Sequence, residues 1–105
     1  MVTFSVRSML DLYLQVRNFP PGSEIIMTGI NIPDMLKIMQ EHKIVVVPVD
    51  LDIATMKPSV EDVKKALSPK TKAVLFAYIF GVTYDIAPYV EILKAANVEI
   101  IEDCA

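Results

Sequence analysis

The chain has 105 residues, 53% of them hydrophobic, with ten Lys+Arg against thirteen Asp+Glu and a formal charge of -3. At that length roughly 65% of the unfolded surface is buried on folding, which suffices for one core but not for two domains. The acidic balance, with no basic cluster denser than Lys64-Lys65, excludes a surface built to meet nucleic-acid phosphates or an anionic membrane.

Between Phe4 and Val16 the residues Val6, Met9, Leu10, Leu12, Tyr13, Leu14 and Val16 fit a helix with a broad apolar face, and Asn18-Phe-Pro-Pro-Gly22 ends it. Glu24 to Thr28 is a short apolar run bounded by turn residues, the signature of a buried strand. Asn31 is placed to cap a second helix, with Pro33 and Asp34 in its first turn. Ile44 to Asp50 is β-branched and reads as a parallel strand that stops near Pro48. Ser59-Val-Glu-Asp62 has capping-box spacing before a helix to Leu67. Lys72 to Ile79 reads as an apolar strand, Asp85 as the cap of a helix through about Ala96, Asn97 as its left-handed terminator, and Val98 to Asp103 as a last strand.

Helices alternating with strands predict an α/β fold with a parallel sheet of about four strands. The longest apolar stretch, Ala73 to Val82, is about half the ~20 residues of a membrane-spanning helix, so no span is expected. The N-terminus has no basic start and is interrupted by Arg7 and Asp11, unlike a signal peptide, and the single cysteine, Cys104, has no internal partner. Both features lead to the expectation of a cytoplasmic protein.

In an open parallel sheet, ligands bind beyond the carboxyl ends of the strands. Here those ends are Thr28-Gly-Ile-Asn31, Asp50-Leu-Asp52, Tyr78-Ile-Phe-Gly81 and Glu102-Asp-Cys104. A carboxylate closing an apolar strand needs a partner, so Asp103 is read either as the cap of a succeeding helix or turn, or as the counter-charge of a ligand cation or metal. Asp50 and Asp52 resemble a metal-binding acidic pair, although loop acids after a strand are the simpler reading. His42, with no second histidine, is read as a cation at a helix C-terminus.

The runs Pro21-Gly-Ser-Glu-Ile-Ile-Met-Thr28, Val47-Pro-Val-Asp-Leu-Asp52, Leu67-Ser-Pro-Lys-Thr-Lys-Ala-Val74, Gly81 and Val98-Glu-Ile-Ile-Glu-Asp-Cys-Ala105 resemble, in order and from about Phe4 onward, the DegT-type family of pyridoxal-phosphate-dependent sugar aminotransferases, which are fold type I enzymes. The resemblance implies that Asp103 pairs with the protonated pyridine nitrogen of pyridoxal phosphate, keeping the ring an effective electron sink. It implies a phosphate site at a small-residue helix start, where Ser5-Val-Arg-Ser-Met-Leu10 aligns and Arg7 and Ser8 are the candidates. Val6 stands where the family has glycine. The family's ring-stacking aromatic is missing between Met27 and Met39, where Asn31 is nearest in alignment; the simpler reading of Asn31 is helix capping.

None of the eight lysines matches the context of the family's Schiff-base lysine, which lies well downstream of the Glu-Asp motif. The expectation is therefore a single partial domain, residues 1–105, belonging to the cofactor-binding large domain and inactive alone. Its intact parent would be a homodimer that transfers an amino group from an amino-acid donor to a nucleotide-linked keto sugar. The rival is a non-catalytic α/β module that associates with another chain through an exposed sheet face. An uncovered apolar face and an open sheet edge are expected in either case.

Overall fold

The computed structural model describes residues 6–28, 33–52, 54–55, 57–77 and 85–103. In chain order the elements are α1 (Val6–Arg17), β1 (Glu24–Thr28), α2 (Pro33–Glu41), β2 (Val45–Val49), α3 (Val60–Ala66), β3 (Thr71–Ala77), α4 (Ala87–Ala95) and β4 (Glu99–Asp103). The strands form one parallel sheet in the order β2-β1-β3-β4. The chain thus winds outward from β1 to β2, crosses back over β1 to β3, and continues to β4.

Burial explains which runs are continuous and which are mixed. In the inner strands β1 and β3, Ile25 to Thr28 and Ala73 to Phe76 are almost wholly buried, because each strand is covered on both faces. β2 pairs with β1 alone and leaves Val45 about 49% exposed. Pro48 lies inside β2, opposite Met27, and the strand ends one residue later at Val49, near Pro48 as the sequence suggests. An edge strand has one unpaired side, so a residue without an N–H is tolerated there.

Strand alternation sends the apolar side chains to two cores. Leu10 and Leu14 of α1 and Met39 of α2 pack on Ile25, Met27, Ala73 and Leu75, with Ile101 of β4 against them. Val63 of α3 and Tyr89 and Leu93 of α4 pack on Ile26, Val49, Val74 and Phe76. Two helices therefore cover each face. The expectation of an uncovered apolar face is not met: among the described residues the exposed large apolar side chains are Val16 and Val45. What stays open is the outer edges of β2 and β4.

Helix ends follow local chemistry. Ser59 caps α3 by accepting from the Asp62 N–H at 3.4 Å. Asp85 acts one position earlier than a standard cap: its carboxylate accepts from the Ala87 N–H at 2.9 Å, while Ile86 holds the N-cap position without a side-chain bond. Asn97, at φ 58°, adopts the left-handed conformation expected of it, and Asn18 and Lys43 do the same after α1 and α2. No helix among the described residues is long and apolar enough to cross a membrane.

Candidate functional site at the carboxyl edge of the sheet

With all four strands parallel, Thr28, Val49, Ala77 and Asp103 end at one edge. β1 and β3 are neighbours whose chains leave in opposite directions around the sheet, and a crevice forms beyond such a switch point. Asp103 is the last residue of β4, in register with Ala77. It has the same strand parity as Glu99 and Ile101, and Ile101 packs into the core beneath α1 and α2.

The direction of α1 decides what else reaches this edge. From its C-terminal half, Tyr13 donates to Glu99 at 2.6 Å and Arg17 pairs with the same carboxylate. Glu99 opens β4, at the opposite, amino edge. The chain then enters β1 directly through Asn18 to Ser23. α1 therefore runs antiparallel to the strands, and its first turn, with Arg7 and Ser8, is directed toward the edge where Asp103 lies. No acidic residue occupies that turn, so nothing there opposes an anion at the positive helix end. The structure brings together the elements carrying Arg7, Ser8 and Asp103; Asn31 lies outside the described residues.

Other candidates find structural roles. Asp52 is spent locally, accepting from the Ala54 N–H at 2.8 Å, and no group of three possible metal-ligating side chains occurs among the described residues. His42 follows α2 and places Nε2 2.7 Å from the Asp11 carboxylate, linking α2 to α1. In the Ser-Pro-Lys-Thr segment, Ser68 donates to Glu24 at 2.8 Å, its own N–H donates to the Thr71 hydroxyl at 2.9 Å, and the Glu24 N–H bonds the Lys70 carbonyl at 2.9 Å. That segment fastens β3 to β1 at the amino edge, away from the candidate site.

Sequence reasoning passed over Tyr13 and Glu99. The signal was present, because Glu99 is a carboxylate in an apolar strand and requires a partner just as Asp103 does. Burial, followed by the hydrogen bond to Glu99 and its negative charge, pushes the Tyr13 hydroxyl above the ordinary tyrosine range. Tyr13 is also met edge-on by Phe19, with ring centroids 6.1 Å apart, and has the Arg17 guanidinium 6.0 Å from its own centroid.

Comparison with known proteins establishes the family. The sequence model of the DegT/DnrJ/EryC1/StrS aminotransferase family matches residues 2–105. The chain belongs to this family. It is 31% identical over 96 residues to 3-amino-5-hydroxybenzoate synthase of Amycolatopsis mediterranei, covering 91% of this chain and 25% of that protein. It is 29% identical over 96 residues to GDP-perosamine synthase of Escherichia coli O157:H7, covering 91% and 26% respectively. The crystal structure of the aminotransferase TlmJ from Streptoalloteichus hindustanus superposes with a TM-score of 0.83 at 27% identity, over 94% of this chain and 28% of that one. The chain thus spans about a quarter of the length of the relatives it matches. The α/β sheet is that of its aminotransferase relatives.

Proposed function

We propose that these 105 residues form part of the pyridoxal phosphate site of an aminotransferase acting on nucleotide-linked keto sugars, in the large domain of a longer homodimeric, cytoplasmic enzyme. The observation that carries the reading is the joint delivery of the α1 N-terminus and of Asp103 to the carboxyl edge of one parallel sheet. Family membership and the aminotransferase and nucleotide-sugar enzymes among its relatives support the substrate class.

The donor chemistry suits the cofactor. Asp103 supplies an anion for a protonated ring nitrogen, while Arg7, Ser8 and the acid-free first turn of α1 supply a cation, a hydroxyl and a positive helix end for a phosphate. When bound, pyridoxal phosphate provides an electron sink for the bond changes of amino transfer. The task of Asp103 is to hold the proton on the ring nitrogen by its negative charge. Arg7 and Ser8 fix the opposite end of the molecule, and Asn31 is the residue nearest in alignment to the family's ring-stacking position. None of Lys37, Lys43, Lys57, Lys64, Lys65, Lys70, Lys72 or Lys94 stands in the context of the lysine that attaches the cofactor, so this polypeptide by itself binds without turning over.

Titration of the 105-residue chain with pyridoxal phosphate, followed by absorbance and by glutamate-dependent turnover, tests the proposal. Saturable binding is expected, weakened about tenfold or more by Asp103→Asn, with no turnover. Equal binding by Asp103→Asn would remove the assigned role, and turnover by the chain alone would refute its inactivity.

A further inference from the structure

Two turns of α1 and one strand end form a bracket whose purpose stability alone does not explain. Glu99 receives the Tyr13 hydroxyl on one carboxylate oxygen at 2.6 Å and pairs with Arg17 through the other. Tyr13 and Arg17 are four residues apart, hence one above the other on the same face of α1. A carboxylate held at both oxygens by successive turns constrains the helix in rotation and in advance along its axis. The apolar contacts of Leu10 and Leu14 fix which face of α1 meets the sheet, but apolar contact is non-directional and resists sliding only weakly.

The bracket also sits at a telling distance. From Tyr13 back to Val6 the helix rises about 10 Å, and from Glu99 to Asp103 the strand advances about 13 Å. Both run from the bracket at Glu99 toward the carboxyl edge. An error in the advance of α1 along β4 therefore appears undiminished as an error in the span between its first turn and Asp103.

We infer that Glu99 is a positioning residue: by holding Tyr13 and Arg17 it sets the span between the phosphate-binding turn of α1 and the ring-nitrogen partner Asp103. The inference rests on the cofactor reading above for the use of that span, but not for its existence. It assigns no contact between Glu99 and the cofactor. Glu99 acts from the opposite edge of the sheet through the stiffness of one helix and one strand.

Two measurements test it on the 105-residue chain. In the first, spin labels on native Cys104, adjacent to Asp103, and on Ser8→Cys report the span by dipolar broadening. Glu99→Gln and Tyr13→Phe are expected to widen the distance distribution and to move its mean by at least about 1.5 Å, one residue's helical rise. An unchanged distribution in both variants overturns the inference.

The second uses pyridoxamine phosphate, which needs no lysine for attachment, beside inorganic phosphate and pyridoxamine as separate probes in nuclear magnetic resonance titrations. Only a ligand joining both ends feels the span. Glu99→Gln should weaken pyridoxamine phosphate about tenfold while leaving the two separate probes within about twofold. Equal weakening of all three probes indicates a general structural loss and overturns the inference, as does an unaltered affinity for pyridoxamine phosphate where the wild-type chain binds it. If the span responds to Glu99→Gln but the wild-type chain does not bind pyridoxamine phosphate, the positioning role stands and the cofactor reading falls.

Discussion

The Ser68 hydroxyl reaches across 44 residues of sequence to the Glu24 carboxylate at 2.8 Å, fastening the turn before β3 to the first residue of β1. Because the bond is half-buried and one partner is charged, Ser68→Ala should lower the unfolding free energy by about 1.5–3 kcal/mol. Chemical denaturation would measure this. The bond lies at the amino edge, so cofactor binding by the folded variant should not change.

Tyr89 is buried, lies with its ring centroid 5.0 Å from that of Phe76, and donates to the Pro58 carbonyl. It joins α4 to the segment ahead of α3. Tyr89→Phe keeps the ring and leaves the carbonyl without this donor, at an expected cost of about 1–3 kcal/mol. An undiminished denaturation midpoint for Tyr89→Phe would show that water replaces the hydroxyl without cost.

Alkaline pH offers a separate test. The Tyr13 proton is held more tightly in the folded chain than in the unfolded one, because burial and Glu99 disfavour the phenolate. Burial shifts Tyr89 in the same direction. A raised folded pKa gives a contribution that is complete below the unfolded tyrosine value of about 10 and is lost as pH rises from there through the folded value. Thermal melts between pH 9 and pH 12 should show a steeper decline for the wild-type chain than for Tyr13→Phe. The Tyr13→Phe, Tyr89→Phe double variant should be flatter still.

Two backbone positions make opposite predictions. Gly22 has φ 86°, a conformation costly for a residue with a β-carbon, although a methyl group there would meet no atom within 4 Å. Gly22→Ala should therefore destabilise by about 1–2 kcal/mol through backbone strain alone. Lys43, at φ 58°, already bears that strain, and Lys43→Asn should raise the unfolding free energy, measured by chemical denaturation, by a fraction of a kcal/mol.

Much of the architecture is legible because each inner strand carries an apolar run and α2, α3 and α4 each begin at a recognisable cap or proline. The end of β2 near Pro48 is legible too, but that β2 is an edge strand is a property of strand order, which no local pattern encodes. Coverage of the sheet faces was misjudged for a similar reason: Leu10, Val63 and Leu93 declare themselves apolar, but only the crossovers decide that α1 and α2 take one face while α3 and α4 take the other. At the candidate site, Asp103 was visible as an acid at the end of an apolar strand. Glu99 carried the same signature at the strand's beginning, but its partners Tyr13 and Arg17 lie more than 80 residues earlier, beyond the reach of motif reading. The Ser-Pro-Lys-Thr segment was the clearest family mark and proved to be a structural fastening.

The long-range polar ties from Ser68 to Glu24 and from Tyr13 and Arg17 to Glu99 sit at the amino edge, while the loops that would meet a substrate leave from the other. Selection can thus act on the substrate-facing loops apart from these ties, of which the Glu99 bracket alone is assigned an effect at the opposite rim, on the cofactor span. A lineage can replace residues that choose a substrate without touching the side chains of Ser68, Glu24, Tyr13, Arg17 and Glu99, whose ties gather at the amino edge. Such a division makes this scaffold tolerant of new specificities.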